Sequence, residues 1–127
     1  MKELLLQKTD VKFNNSNYES KTLSCYVAKS CFHKIKGLKD IEQLSKDKGM
    51  IFPFKFSNYR FFTMKDVLID LDIIFIDKCF HINKIIEAVY NTNALIYGYC
   101  KYVVETNKGF CKKNNIGIND TISIERW

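Results

Sequence analysis

The stretch Val67-Leu68-Ile69-Asp70-Leu71-Asp72-Ile73-Ile74-Phe75-Ile76-Asp77 decides the fold. Val67, Ile69, Leu71, Ile73 and Phe75 form one unbroken apolar row at the two-residue period of a strand. The alternate row, Leu68, Asp70, Asp72, Ile74 and Ile76, is wet in its first half and apolar in its second. A strand that starts near solvent and ends buried on both faces satisfies both rows.

Working outward, residues 50–54 and 60–64 read as a hairpin pair around the turn Phe56-Ser57-Asn58, with Pro53 marking an edge or a bulge. Residues 21–27 alternate as a strand after the turn signal Asn14-Asn15-Ser16-Asn17, itself preceded by short apolar runs at 3–7 and 11–13. Ser30 is placed to cap a short helix over 31–37, where Phe32 and Ile35 stand three apart, and residues 40–46 predict a further helical turn. Downstream, the turn at 77–79 leads to a strand over 80–89. A loop at 91–93 precedes a long strand over 95–105, and a short helix is expected within 107–114. The turn Gly117-Ile118-Asn119-Asp120 opens a last strand over 121–124. The expectation is an α+β fold, mainly antiparallel β: a compact curved sheet or partly open barrel with one or two short helices. No repeat or Gly/Ser-rich linker divides the chain. It reads as a single domain over 1–127, with 1–20 as an N-terminal extension forming an extra strand or hairpin.

Composition agrees with this class. The 127 residues are 46% hydrophobic and 14% aromatic, which excludes a disordered chain and favours pleated, half-buried surfaces. Five scattered cysteines are an odd set, which predicts free thiols, no disulfides and a reducing compartment. The run Leu4-Leu5-Leu6 falls short of the roughly 7–15 apolar residues of a secretory leader, and no stretch approaches the ~18 needed to span a membrane. A cytoplasmic location and no membrane partner are expected. The formal net charge of +6 favours polyanions and acidic partners, although the lysines are dispersed.

Four ordered motifs carry a resemblance. They are Gly37-Leu38, Lys48-Gly49-Met50-Ile51-Phe52-Pro53-Phe54, Phe62-Thr63-Met64-Lys65 and Leu71-Asp72-Ile73-Ile74-Phe75-Ile76-Asp77. Their order and spacing resemble the family catalogued as domain of unknown function 192. Its signature runs Gly-Leu-Met, Gly-Met-Leu-Phe, Phe-Trp-Met-Lys-Asn-Thr and Leu-Asp-Ile-Phe-Phe-Ile-Asp. Val103-Val104-Glu105, Gly109 and Gly117-Ile118 through Asp120 resemble its closing part, so the likeness spans roughly residues 22–125. Lys39 stands where the family has Met, Thr63 where it has Trp, Asp66-Val67 where it has Asn-Thr, and Asp70 where it has Pro. The resemblance implies a compact, mainly antiparallel β fold with one or two small helices. It implies no reaction.

Lys65 and Asp72 are the charged pair kept from that pattern. A lone carboxylate in an apolar strand must be solvated, protonated or paired. Lys65 lies seven residues earlier and faces the other way on a straight strand, so a bend near Asp66 is expected to bring the two together. The structural reading is an ion pair fixing that bend. Removing one partner of such a buried pair costs about 3–5 kcal/mol, against ~0–1 for an exposed one. The functional reading is a desolvated Lys65 acting as base or nucleophile, positioned by Asp72. Asp70 and Asp72, at strand spacing, read as a solvated face before they read as a cation or glycoside site. Cys31-Phe32-His33 and Cys79-Phe80-His81 repeat a Cys-x-His spacing, but the Cys-x-x-Cys of common zinc sites is absent, so no metal is expected. Lys55, Tyr59 and Arg60 set cations among aromatics, a pattern of single-strand platforms that also suits an ordinary strand tip.

These readings yield three functional expectations. The first is a non-enzymatic binding or interaction module with no cofactor. It would recognise an unknown small ligand or protein partner near Phe62, Met64, Lys65 and Asp72. The second is a small enzyme using Lys65 with Asp72. The third is a basic single-stranded nucleic-acid binder using Lys55, Tyr59 and Arg60.

Overall fold

Residues 6–125 are described by the structure, a computed structural model. The alternating stretches become strands, and Asn, Asp and Gly positions become the breaks between them. β1 (Lys8–Asn15) and β2 (Tyr18–Val27) form an antiparallel hairpin whose turn is closed by the Asn17 amide donating to Asn15 Oδ1. α1 (Cys31–Lys36) follows, capped by Ser30 as its sequence predicted and ended by Gly37. β3 (Lys48–Phe62), β4 (Leu71–Ile76), β5 (Ile82–Ala88) and β6 (Ile96–Asn107) come next. α2 (Phe110–Lys113), a single turn, precedes β7 (Thr121–Ile124).

The seven strands form one sheet in the order β5-β4-β6-β3-β2-β1-β7. All pairs are antiparallel except β2 with β3, which α1 connects as a parallel crossover. The sheet curls into a half-barrel. Its two outermost strands meet at one end: His81 bridges Thr121, the Ile82 amide donates to Asp120 O at 2.8 Å, and the Asn119 amide to Ile82 O at 2.8 Å.

Two cores lie on opposite faces. One gathers Phe13, Leu23, Ile51, Ile74, Ile76, Val104 and Ile122 with Phe110 and Cys111 of α2. The other gathers Leu38, Met50, Phe52, Met64, Leu71, Ile73, Phe75 and Val103 beneath the segments that follow α1 and β3. Every residue of β4 is buried, because β5 and β6 flank it and both cores use its side chains. Gly49 lets β3 sit where it does. A Cβ there would lie 2.6 Å from Glu105 O and 2.8 Å from the Leu23 side chain.

Three local expectations are corrected. Residues 50–64 are not a hairpin: β3 is one strand of 15 residues paired with β6 along both halves. Register jumps from Pro53↔Tyr102 to Asn58↔Cys100, so the turn-like residues 54–57 form a bulge opposite Lys101 alone. Pro53, lacking an amide proton, sits where the ladder breaks. Residues 40–46 form no helix. Asp40 and Asp47 adopt positive φ, and so short a segment cannot repay helix nucleation. β4 begins only at Leu71, because Asp66 is left-handed and Asp70 Oδ1 accepts the Tyr90 amide at 2.8 Å, which takes 63–70 out of the sheet.

Candidate functional site

The expected Lys65–Asp72 pair is not formed. Lys65 is exposed on the turn after β3, where its amide donates to Thr63 Oγ1, and it has no ion pair among the described residues. Asp72 is 1% exposed. Its oxygens accept the amides of Gly109 at 3.2 Å and Cys111 at 2.9 Å, so the buried acid is satisfied by backbone. The physical reason is that α2 starts with Gly109 in the left-handed region, with no side chain of its own to cap the turn. β4 supplies that cap from across the fold.

Met64 is buried in the core with Leu38, Phe52 and Phe75, and Phe62 packs against the same core. Of the aromatic candidates, Lys55 and Tyr59 are exposed, while Arg60 points to the opposite face. Arg60 stacks its guanidinium 4.1 Å from the Phe54 ring centre, donates to Phe56 O at 2.6 Å, and leaves Nε buried without a partner. Asp77 Oδ1 takes the amides of Cys79 and His81, which makes the second Cys-x-His a capped turn. No described group of three acidic, Cys or His side chains is arranged to hold a metal. The Cys31 side chain lies outside the described residues. Cys25, Cys79, Cys100 and Cys111 are free thiols, and no described helix is long and apolar enough to cross a membrane.

What does converge is a cleft of about 560 Å³ between the end of α1 and β3. Leu38, Phe52, Phe62 and Val67 line it, and Glu105 of β6 lies within it. Lys34, Lys36, Lys39 and Arg60 also border it, with Lys34 Nζ 4.7 Å from the Phe54 ring centre. Gly37 permits this shape: at φ 51° and ψ −130° it runs past the Phe52 ring and Glu105 Oε1, in a region that side-chain-bearing residues rarely enter. Glu105 is 6% exposed, and burial pushes its carboxyl up from 4.5 to about 7. Glu105 faces the core opposite to the one Asp72 helps anchor, since it pairs with Ile73 in register while Asp72 pairs with Thr106.

The profile of the DUF192 family, described as an uncharacterized ACR, matches residues 12–124. The chain belongs to the DUF192 family. Two solved structures resemble this DUF192 member closely. One, from Sinorhizobium meliloti and named as a supposed transcription regulator, aligns with a TM-score of 0.90 at 25% identity, covering 94% of this chain and 95% of that one. Another, a protein of unknown function from Novosphingobium aromaticivorans, gives a TM-score of 0.88 at 25% identity, covering 93% and 86%. No curated protein matched the sequence.

Glu105 is the residue that sequence reasoning passed over. It stood within the DUF192 resemblance as part of Val103-Val104-Glu105, and a carboxylate closing an apolar run raises the same question as Asp72. Thr63, where the DUF192 signature has Trp, also borders the cleft.

Proposed function

We propose that this DUF192 protein is a small-molecule binding module whose ligand enters the cleft over Glu105. The observation that carries the reading is a protonatable carboxyl set in an apolar, aromatic-walled cleft with four cationic side chains around it. A concave apolar site with a few converging polar groups is the usual form of a ligand pocket. The fitting ligand has a flat apolar body, an anionic group for the lysines and Arg60, and a hydrogen-bonding end for Glu105. The earlier expectation of a site at Met64, Lys65 and Asp72 moves accordingly: Phe62 stays, Met64 supports it from the core, and Lys65 and Asp72 drop out.

The test uses 1-anilinonaphthalene-8-sulfonate, an apolar ring system bearing one anion. Saturable fluorescence enhancement with one site per chain is expected, weakened at least tenfold in Thr63→Trp, which places a bulky ring in the cleft, and weakened in Arg60→Gln. Binding untouched by both variants overturns the site. A second reading, general acid–base catalysis by Glu105, is favoured by its burial in the cleft, which pushes its carboxyl up to about 7. It replaces the first if turnover of a bound compound is abolished in Glu105→Gln while binding persists.

A further inference from the structure

A different feature lies on the outer face of the β3–β6 pair, at the end where Phe61 also borders the cleft. Tyr59, Phe61, Tyr97 and Tyr99 stand there 56%, 62%, 43% and 50% exposed, an aromatic patch beyond what scattered surface residues explain. The strand register makes them a ladder of two rungs. Tyr59 and Tyr99 meet edge to face at 5.2 Å, and Phe61 stacks on Tyr97 at 5.8 Å. Lys84 of β5 reaches over the second rung, its Nζ 4.4 Å from the Tyr97 ring centre and donating to Tyr97 O. Residues 54–62, 82–86 and 95–101 contribute Lys55, Lys84 and Lys101 and no Asp or Glu; Arg60 of the same stretch faces the cleft, and Glu87 near the far end of β5 pairs with Lys112.

We infer that this ladder is a stacking platform for single-stranded nucleic acid. Exposed rings in a cationic setting offer a π-face to any base and neutralise the backbone that carries it. Rungs two residues apart along a strand are separated by about 6.6 Å, close to twice the ~3.4 Å spacing of successive nucleotides, so alternate bases of a strand near its stacked spacing meet successive rungs. A second copy of the chain is the poorer occupant. Ladder against ladder sets Lys55 and Lys84 of two molecules together with no local acid to offset them. A polyanion turns the same charges to advantage.

The experiment is fluorescence anisotropy of a labelled twelve-nucleotide oligothymidylate with the full chain at low salt and at near-physiological salt. Binding is expected at low salt and should fall steeply as salt rises. Tyr97→Leu and Tyr99→Leu keep apolar bulk but remove a π-face, and each is expected to weaken binding roughly tenfold, with folding checked by circular dichroism. Lys84→Gln should flatten the salt dependence, and Glu105→Gln should leave oligonucleotide affinity unchanged, which separates this platform from the cleft. No anisotropy change at low salt overturns the inference. So does unchanged affinity in both leucine variants, a preference for duplex, or a ring-dependent response to anionic vesicles or to self-association in place of the oligonucleotide.

Discussion

At the scale of single residues, the informative group is Glu105. Its carboxyl holds a proton more tightly when folded, at about 7 against an ordinary 4.5, because burial disfavours the charge. The folded state therefore binds more protons than the unfolded chain between these values, and stability falls as pH rises through that window. The full contribution is present below 4.5 and is lost above about 7, roughly 3 kcal/mol in all. Urea unfolding at pH 5 and pH 7.5 should show this loss in the wild type and not in Glu105→Gln; equal slopes in the two proteins contradict the buried proton. Such a group is hard to read from sequence, since a glutamate beside Val-Val is also what a half-exposed strand looks like. Which lone acid becomes a site and which becomes a cap depends on neighbours distant in the chain. Asp72 looked like half of an ion pair because lysine partners are visible in a sequence. Its partners are the Gly109 and Cys111 amides, groups every residue but proline carries, with the Cys111 thiol beside them.

At the scale of elements, α2 shows how little helix can be held by one acid. Four residues cannot nucleate alone, so the turn depends on Asp72 below and on Phe110 packing edge-on to Phe13 at 5.5 Å. Asp72→Leu should leave two amides unpaired and cost about 2–5 kcal/mol, whereas Asp72→Asn keeps one acceptor and should cost about 1–2. Hydrogen exchange at Gly109 and Cys111 should report the loss directly. Lys65→Met serves as the control, with an effect within about 0.5 kcal/mol, as for an exposed side chain without a partner. If Lys65→Met destabilises as much as Asp72→Leu, the two charges communicate after all. The elements themselves were largely legible where period two ran cleanly, as in β2, β7 and the part of β4 from Leu71, whereas the same period over 67–70 misled because Asp66 and Asp70 hold that stretch out of the sheet. The middle of β3 was not, because Phe56-Ser57-Asn58 has the chemistry of a turn and of a bulge alike. Only the continuous pairing with β6 decides between them.

At the scale of the whole molecule, fold class could be read from strand-forming composition and alternation, while strand order could not. β3 lies between β6 and β2, and the single parallel pair arises from a crossover whose length, not its local chemistry, dictates direction. The cleft inherits this topology. Its floor comes from β6, one wall from β3 and its cover from the residues after α1, segments no local pattern brings together. The contact between β5 and β7 has a further consequence. At that end the two outer strands answer each other's amides and carbonyls, so this part of the edge has no idle row for a passing polypeptide to graft onto. Asp120 holds this clasp by accepting the Gly117 amide at 2.7 Å and the Asn15 side chain at 3.2 Å. Asp120→Ala should loosen it, and light scattering at high concentration should then find a larger share of strand-exchanged dimers and higher species than in the parent chain.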